Sequence, residues 1–191
     1  MAKVSLAGGN TFCPQALYLY GTIKEDGRAD YGLFCWCCYC FAGDAMKFVA
    51  CIAEDKLTRD RIRATGMLSA TVVTEDLLSR ADFCGCTDGR TCDKESVIAS
   101  DRGDVLPVPV PRDGMWTLEL RVEDTLHPEN QADSEIYICS IVNVRAEEVL
   151  TGDTPFDEKM AALKPVVTLG GKYYAVGTQS LGDWGIPMKS L

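Results

Sequence analysis

The eleven residues Tyr31-Gly-Leu-Phe-Cys-Trp-Cys-Cys-Tyr-Cys-Phe41 carry no charge and are crowded with aromatic rings and thiols. A run this apolar is driven into a core, yet it is too short to span a bilayer, so it reads as a buried strand that ends in a core or a site. A small-residue turn follows at Ala42-Gly-Asp-Ala45. Then come an apolar segment from Met46 to Ala53, the charged connector Glu54-Asp-Lys-Leu-Thr-Arg-Asp-Arg61, and Met67 to Thr74. The pattern is strand, strand, short helix, strand. Asp55 or Thr58 is placed to cap the helix and Gly66 to stop it. The connector sets basic side chains beside the strand ends, so an apolar surface adjoins a turn able to hold a phosphate.

The remaining chain alternates between short extended runs and breaks. Thr11 to Ile23 is an apolar run, Lys24-Glu-Asp-Gly-Arg28 a turn, and the two flanking runs form a hairpin candidate. Leu77, Leu78 and Ala81 have helical spacing, which predicts a short amphipathic helix over Glu75 to Asp82. The glycines in Phe83-Cys-Gly-Cys-Thr-Asp-Gly-Arg-Thr-Cys-Asp-Lys94 favour a compact loop. Prolines at 107, 109 and 111 restrict that stretch to an extended edge. Trp116 to Val122 and Glu135 to Val144 are strands, joined by a polar connection from Glu123 to Ser134. Ala146 to Leu150 and Phe156 to Leu163 are short helical pieces, and Val166 to Val176 is a two-stranded tail around Gly170-Gly171. Many short strands with few helices suit a β-barrel better than a sheet wound with regular crossover helices. No linker divides the chain, so residues 1–191 are expected to form a single domain.

The formal net charge of -9 argues against a nucleic-acid surface, because a phosphate backbone would be repelled. A few local cations can still hold one phosphate group. No stretch is long and apolar enough for a spanning helix, and the first residues lack a secretory pattern; the expectation is a cytoplasmic protein with no membrane partner. In that compartment the ten cysteines are free thiols. On a single strand, Cys35 and Cys37 would share one face and Cys38 and Cys40 the other.

The order of Gly32-Leu-Phe-Cys-Trp-Cys, Phe48-Val-Ala-Cys-Ile, Lys56-Leu-Thr-Arg-Asp-Arg-Ile62, Gly66-Met-Leu-Ser-Ala-Thr-Val and Cys84-Gly-Cys-Thr-Asp-Gly-Arg-Thr-Cys-Asp-Lys94, followed by Ile136-Tyr-Ile-Cys-Ser-Ile-Val142 and Lys172-Tyr-Tyr-Ala-Val-Gly177, resembles the flavin reductase-like, FMN-binding split-barrel family. Its flavoredoxin-like members are the most similar in appearance, over about Phe12 to Trp184. The resemblance implies a mainly β fold, an FMN-binding split β-barrel with short inserted helices, and a homodimer with FMN near its interface. It places Phe34, Cys35, Trp36 and Cys37 along the flavin, Lys56, Thr58 and Arg59 at its phosphate, and Asp93 and Lys94 on the pair that follows the family's glycine-containing loop. The chain departs from the pattern where the family commonly has Asn and then Thr or Ser, and Gly32 or Leu33 and then Cys35 or Cys37 stand here. It departs again where a late Gly-Glu pair is replaced by Cys139-Ser140, and where an upstream His is often found and Ser134 stands here.

The implied activity is that of an FMN-dependent oxidoreductase or electron-transfer flavoprotein accepting hydride from NAD(P)H, the protein chiefly positioning two rings. No separate dinucleotide-binding domain fixes the donor, so a redox protein is the other candidate. The alternative is a catalytically quiet FMN- or thiol-binding module. No catalytic side chain or metal site is assigned; His127, the lone histidine, lies in a polar loop. The cysteines keep three readings: small packing residues, a redox-active thiol site beside flavin, or metal ligands joined by Cys84, Cys86 and Cys92.

Overall fold

The computed structural model describes residues 3–8, 12–53, 55–127 and 134–190. Thr11 of the first extended run, Glu54 of the connector and residues 128–133 of the polar connection lie outside these. In chain order the elements are β1 (Gln15–Ala16), β2 (Tyr18–Ile23), β3 (Ala29–Phe34), β4 (Cys37–Ala42), β5 (Ala45–Ala53), α1 (Leu57–Thr65), β6 (Met67–Val72) and α2 (Leu78–Cys86). They continue with β7 (Ser100–Arg102), β8 (Pro109–Pro111), β9 (Trp116–Leu126), β10 (Ser134–Ala146), α3 (Phe156–Leu163), β11 (Val166–Leu169) and β12 (Lys172–Ala175).

Seven strands form one antiparallel sheet in the order β3-β2-β6-β9-β10-β5-β4. Alternation fixes its faces. In β5, Phe48, Ala50 and Ile52 are buried while Lys47, Val49 and Cys51 between them are half-buried. The continuous apolar run Leu17 to Tyr20 has a different cause, because β2 is covered on both sides. Tyr18 and Tyr20 pack with Phe48, Leu68, Leu120 and Tyr137, whereas Leu17 and Leu19 pack with Tyr31, Val73, Leu77 and Ile98.

The run from Tyr31 to Phe41 is not one buried strand. It breaks at Cys35-Trp36, and its halves, β3 and β4, occupy opposite edges of the sheet. Three residue steps reach at most about 11 Å, so the sheet must curl until its edges approach at that end. Among the described residues no ladder joins β3 to β4. The Trp36 carbonyl instead accepts from Cys51 N–H at 2.8 Å, extending the β4–β5 pairing. The break also separates two thiols expected on one face: Cys35 packs with the Leu19 cluster and Cys37 with the Tyr20 cluster.

Gly66 ends α1 as the sequence predicts, at φ 66° with its N–H on the Ile62 carbonyl. The start differs, since Lys56 is the N-cap residue and no side chain caps the helix. The second helix begins later than Glu75 and runs through Phe83-Cys-Gly-Cys86, which had read as loop. Residues 74–77 form a turn, and Leu77, Ala81 and Cys84 then supply a buried stripe at helical spacing. Gly85 lets this helix approach β3, for a Cβ there would stand 2.8 Å from Leu33 Cβ. The tail hairpin turns at Gly170 and Gly171, φ 58° and 74°, and joins β1 in a three-stranded sheet. No helix among the described residues is long and apolar enough to cross a membrane.

Candidate functional site

The last residues of β3 and the first turn of α1 meet over a cavity of about 230 Å³ whose walls include Gly32, Phe34, Lys56, Thr58, Asp30 and Lys94. Sequence dictates the meeting. Thr58, Arg59 and Ile62 form the buried face of α1, which turns the helix start toward β3. The first amides of α1 have no intrahelical acceptors and no side-chain cap, so this end offers donors and partial positive charge to an anion. Lys56 is exposed at the rim, while Thr58 is 3% exposed.

Lys94 organises the opposite wall. Its ammonium, 3% exposed, donates to the Tyr31 carbonyl at 2.6 Å and the Cys84 carbonyl at 2.9 Å, tying β3 to α2. It lies 3.6 Å from Asp30 Oδ1. Burial pushes the Asp30 carboxyl up, although the nearby Lys94 and Lys24 charges oppose the shift. The loop from Thr87 to Arg90 lies over this pair: a Cβ on Gly89 would fall 2.0 Å from Asp30 Oδ1. Arg90 fastens the loop by donating to Asp55 and Asp60, each at 2.7 Å.

A second cavity, about 190 Å³, adjoins the first and is lined by Leu33, Phe34, Cys35, Trp36, Cys51 and Lys56, among others. Leu33, Phe34 and Lys56 belong to both walls. The Phe34 ring is held by stacking on Tyr20, centroids 4.7 Å apart. Trp36 stands at the mouth, 58% exposed. One cavity is thus apolar and aromatic, and its neighbour is rimmed by a cation, a hydroxyl and helix amides.

The thiols buried at the cavity walls are not activated. Burial raises Cys35 and Cys51, and pushes Cys84 up to about 11, so these remain protonated and weakly nucleophilic at neutral pH. None of the ten cysteines is in a disulfide. Among the described residues no group of three or more His, Cys, Asp or Glu is placed to hold a metal ion. His127 faces Glu135 at 3.5 Å, away from both cavities.

Of the residues singled out from the sequence, Phe34, Cys35, Trp36, Lys56, Thr58 and Lys94 line one or both cavities. Cys37, Arg59 and Asp93 line neither. Cys37 follows the chain break onto β4 and packs into the Tyr20 cluster; burial raises its thiol to about 11. Arg59 is turned into the protein by the helix face that also buries Ile62. Asp93 caps a 3-10 turn by accepting from Glu95 N–H at 3.2 Å, and pairs with Arg28 at 3.4 Å. Asp30, Cys51 and Gly89 were not foreseen. The helical spacing of Leu77, Leu78 and Ala81 is the nearest sequence signal, and by itself it does not carry the segment leading to Gly89 back over β3.

The family model described as flavin reductase like domain matches residues 11–177. The fold is similar to flavoredoxin from Methanosarcina acetivorans, with TM-score 0.86 and 17% identity over 100% of each chain. Flavoredoxin of Desulfovibrio vulgaris (Miyazaki F) gives TM-score 0.84 and 21% identity over 97% of this chain and 100% of that one. An FMN-binding protein from Thermus thermophilus, solved with p-hydroxybenzaldehyde, gives 0.76 and 18% over 96% and 98%. No curated protein matches the chain.

Proposed function

The chain belongs to the flavin reductase like domain family, and from that membership we propose that it is an FMN-dependent oxidoreductase or electron-transfer protein whose cofactor occupies the two adjoining cavities. The observation that carries the reading is the shared wall: Phe34 and Lys56 border both spaces, joining an aromatic strand end to a cationic helix start. Each cavity is smaller than a typical cofactor pocket of about 300–1,000 Å³, but together they enter that range.

In this reading Lys56, the Thr58 hydroxyl and the first amides of α1 hold the phosphate, as a charge-assisted set at an uncapped helix end. Arg59 and Asp93 act behind this wall, by packing and by capping. Phe34, Cys35 and Trp36 face the ring, Tyr20 keeps the Phe34 plane fixed, and the protonated thiols contribute shape rather than nucleophilicity. Bound flavin would supply two-electron chemistry with a nicotinamide donor, NADH or NADPH, or with a redox protein. The protein's part is to orient the ring, shield it from water and leave one side open at Trp36. The raised thiols give no support to the alternative of a thiol-binding module.

The proposal treats residues 1–191 as one domain and includes a second copy of the chain. β4 ends the seven-stranded sheet, and around it Trp36, Phe41 and Met46 are 58%, 71% and 43% exposed. An unpaired edge with such apolar cover favours a partner. Sedimentation that returned only a monomer at all concentrations would remove this part.

The decisive experiment is an anaerobic titration with FMN, followed by NADH and then NADPH. Saturable binding with nicotinamide-dependent bleaching of the flavin absorbance is expected. Binding without bleaching would turn the proposal toward a redox-protein donor, and no binding would end it.

A further inference from the structure

A third cavity, about 380 Å³, lies between the β2–β3 turn and the β7–β8 ribbon and shares no lining residue with the other two. Alone it falls within the range of small-ligand sites, about 300–1,000 Å³. Its floor is apolar: Ala29 and Val108 are each 2% exposed, with Pro109 buried and Ile23 half-buried. The walls are braced from behind. Pro107 and Pro109 have a fixed φ, the Pro109 carbonyl accepts from the Ser69 hydroxyl, and Ser100 Oγ shares a 2.7 Å hydrogen bond with the Tyr31 hydroxyl. Asp101 on the ribbon is held by Arg112 at 2.8 Å and by Arg145 at 3.2 Å. The cavity is therefore formed before any ligand arrives.

Two charges at its rim remain unused. Glu95 is fixed to the β3 side, because its Oε1 accepts from Ala29 N–H at 2.7 Å, yet among the described residues it pairs with no cation. Arg28 on the adjoining turn is engaged by Asp26 and Asp93 instead. Arg102, the last residue of β7, pairs with no carboxylate among the described residues. A carboxylate and a guanidinium that border one apolar space without neutralising each other match a ligand that carries the opposite pair. We propose that this cavity binds a small zwitterion with an apolar body, an apolar amino acid or dipeptide. Its ammonium group meets Glu95, its carboxylate meets the Arg102 fork, and its side chain covers Ala29, Val108 and Pro109. A simple anion or cation would satisfy only one of the two rim charges. The proposal is independent of the flavin reading.

Calorimetric titration of the native protein compares L-leucine and L-leucyl-L-leucine with their N-acetyl forms, which lack the ammonium group, and their methyl esters, which lack the carboxylate. Saturable binding of the amino acid or the dipeptide is expected, with each single-charge form weaker by about fivefold, the upper scale for an exposed ion pair. Glu95→Gln keeps an acceptor for Ala29 N–H but removes the charge, and should erase the advantage over the N-acetyl form. Arg102→Gln should erase the advantage over the methyl ester. Both side chains are exposed, so neither change should disturb folding, and both variants should bind FMN as the native protein does. Saturating FMN should leave the zwitterion bound, because the cavities share no wall. No saturable binding of either zwitterion, binding that both variants leave unchanged, or displacement of the zwitterion by FMN overturns the proposal.

Discussion

Gly32 and Thr58 face each other across the polar cavity so closely that a Cβ built on the glycine would lie 3.0 Å from the threonine hydroxyl. It would also meet the Phe34 ring at 2.6 Å. The missing side chain at Gly32 thus keeps open the junction between the two cavities. Gly32→Ala is expected to push the ring toward the apolar cavity and weaken FMN roughly tenfold. The cost in stability should be about 1–3 kcal/mol, as for other overpacked sites. Fluorescence titration together with urea unfolding checks both. Unchanged affinity would mean that Phe34 is not part of the ligand wall.

The proposal puts Lys56 and Thr58 at the phosphate, so their loss should distinguish FMN from riboflavin. Lys56→Ala and Thr58→Val are each expected to weaken FMN by about tenfold, the scale of one charge-assisted hydrogen bond, while riboflavin affinity stays within about twofold. Because Lys56 is exposed, its contribution should shrink as ionic strength rises. Calorimetric titration at two salt concentrations measures this directly, and equal losses for both ligands would move the phosphate elsewhere.

Residues that act through local pattern were readable in the sequence. Alternation located β9, apolar runs located β5 and β10, Gly66 marked the end of α1, and Gly170-Gly171 marked the hairpin. That Lys56, Thr58 and Phe34 border one space was also legible, because a basic turn beside an apolar strand is a local juxtaposition. What could not be read depends on contacts across the sheet. Nothing between Phe34 and Cys37 signals that β3 and β4 belong to opposite edges, since thiols and aromatics suit a half-exposed edge as well as a core. Asp30 sits two residues after a polar turn and looks solvent-exposed until α2 and Gly89, far along the chain, close over it. Arg59 was grouped with Lys56 and Thr58 by its charge, while the helix phase turns it inward, away from the cavity wall.

The cysteines offer a test of cavity occupancy without turnover. Cys13, Cys38 and Cys86 are exposed and should alkylate first with iodoacetamide at neutral pH. Cys84 and Cys139, buried and pushed up to about 11 and about 12, should resist until the protein unfolds. Cys35 and Cys51 share the apolar cavity and should react slowly in the free protein, then become protected by saturating FMN. Peptide mass spectrometry resolves each site. Protection of Cys38 in place of Cys35 would place the ring on the wrong face of the break.

Glu119 supplies the last prediction, a stability that depends on pH. Its carboxylate is 0% exposed and accepts from the amides of Asp104, Val105 and Leu106 at 2.8, 3.0 and 2.5 Å, and from Asn143 Nδ2 at 2.8 Å. Burial alone would raise its pKa, but the Asn143 donor and the three amides outweigh it and hold the group below its ordinary value. A carboxyl depressed on folding adds stability that is fully present above its unfolded pKa, about 4.3, and is lost as pH falls through the lower folded value. Glu119→Gln keeps the shape but turns an NH₂ toward N–H donors, leaving at least one unsatisfied. At pH 7 it should cost about 1–3 kcal/mol. Between pH 5 and the acid limit the gap between native protein and variant should narrow, because the native carboxylate is being neutralised while the amide is not. Urea unfolding across that range measures the gap. A difference that stays constant with pH would show that the carboxylate charge contributes nothing to clamping residues 104–106 onto β9.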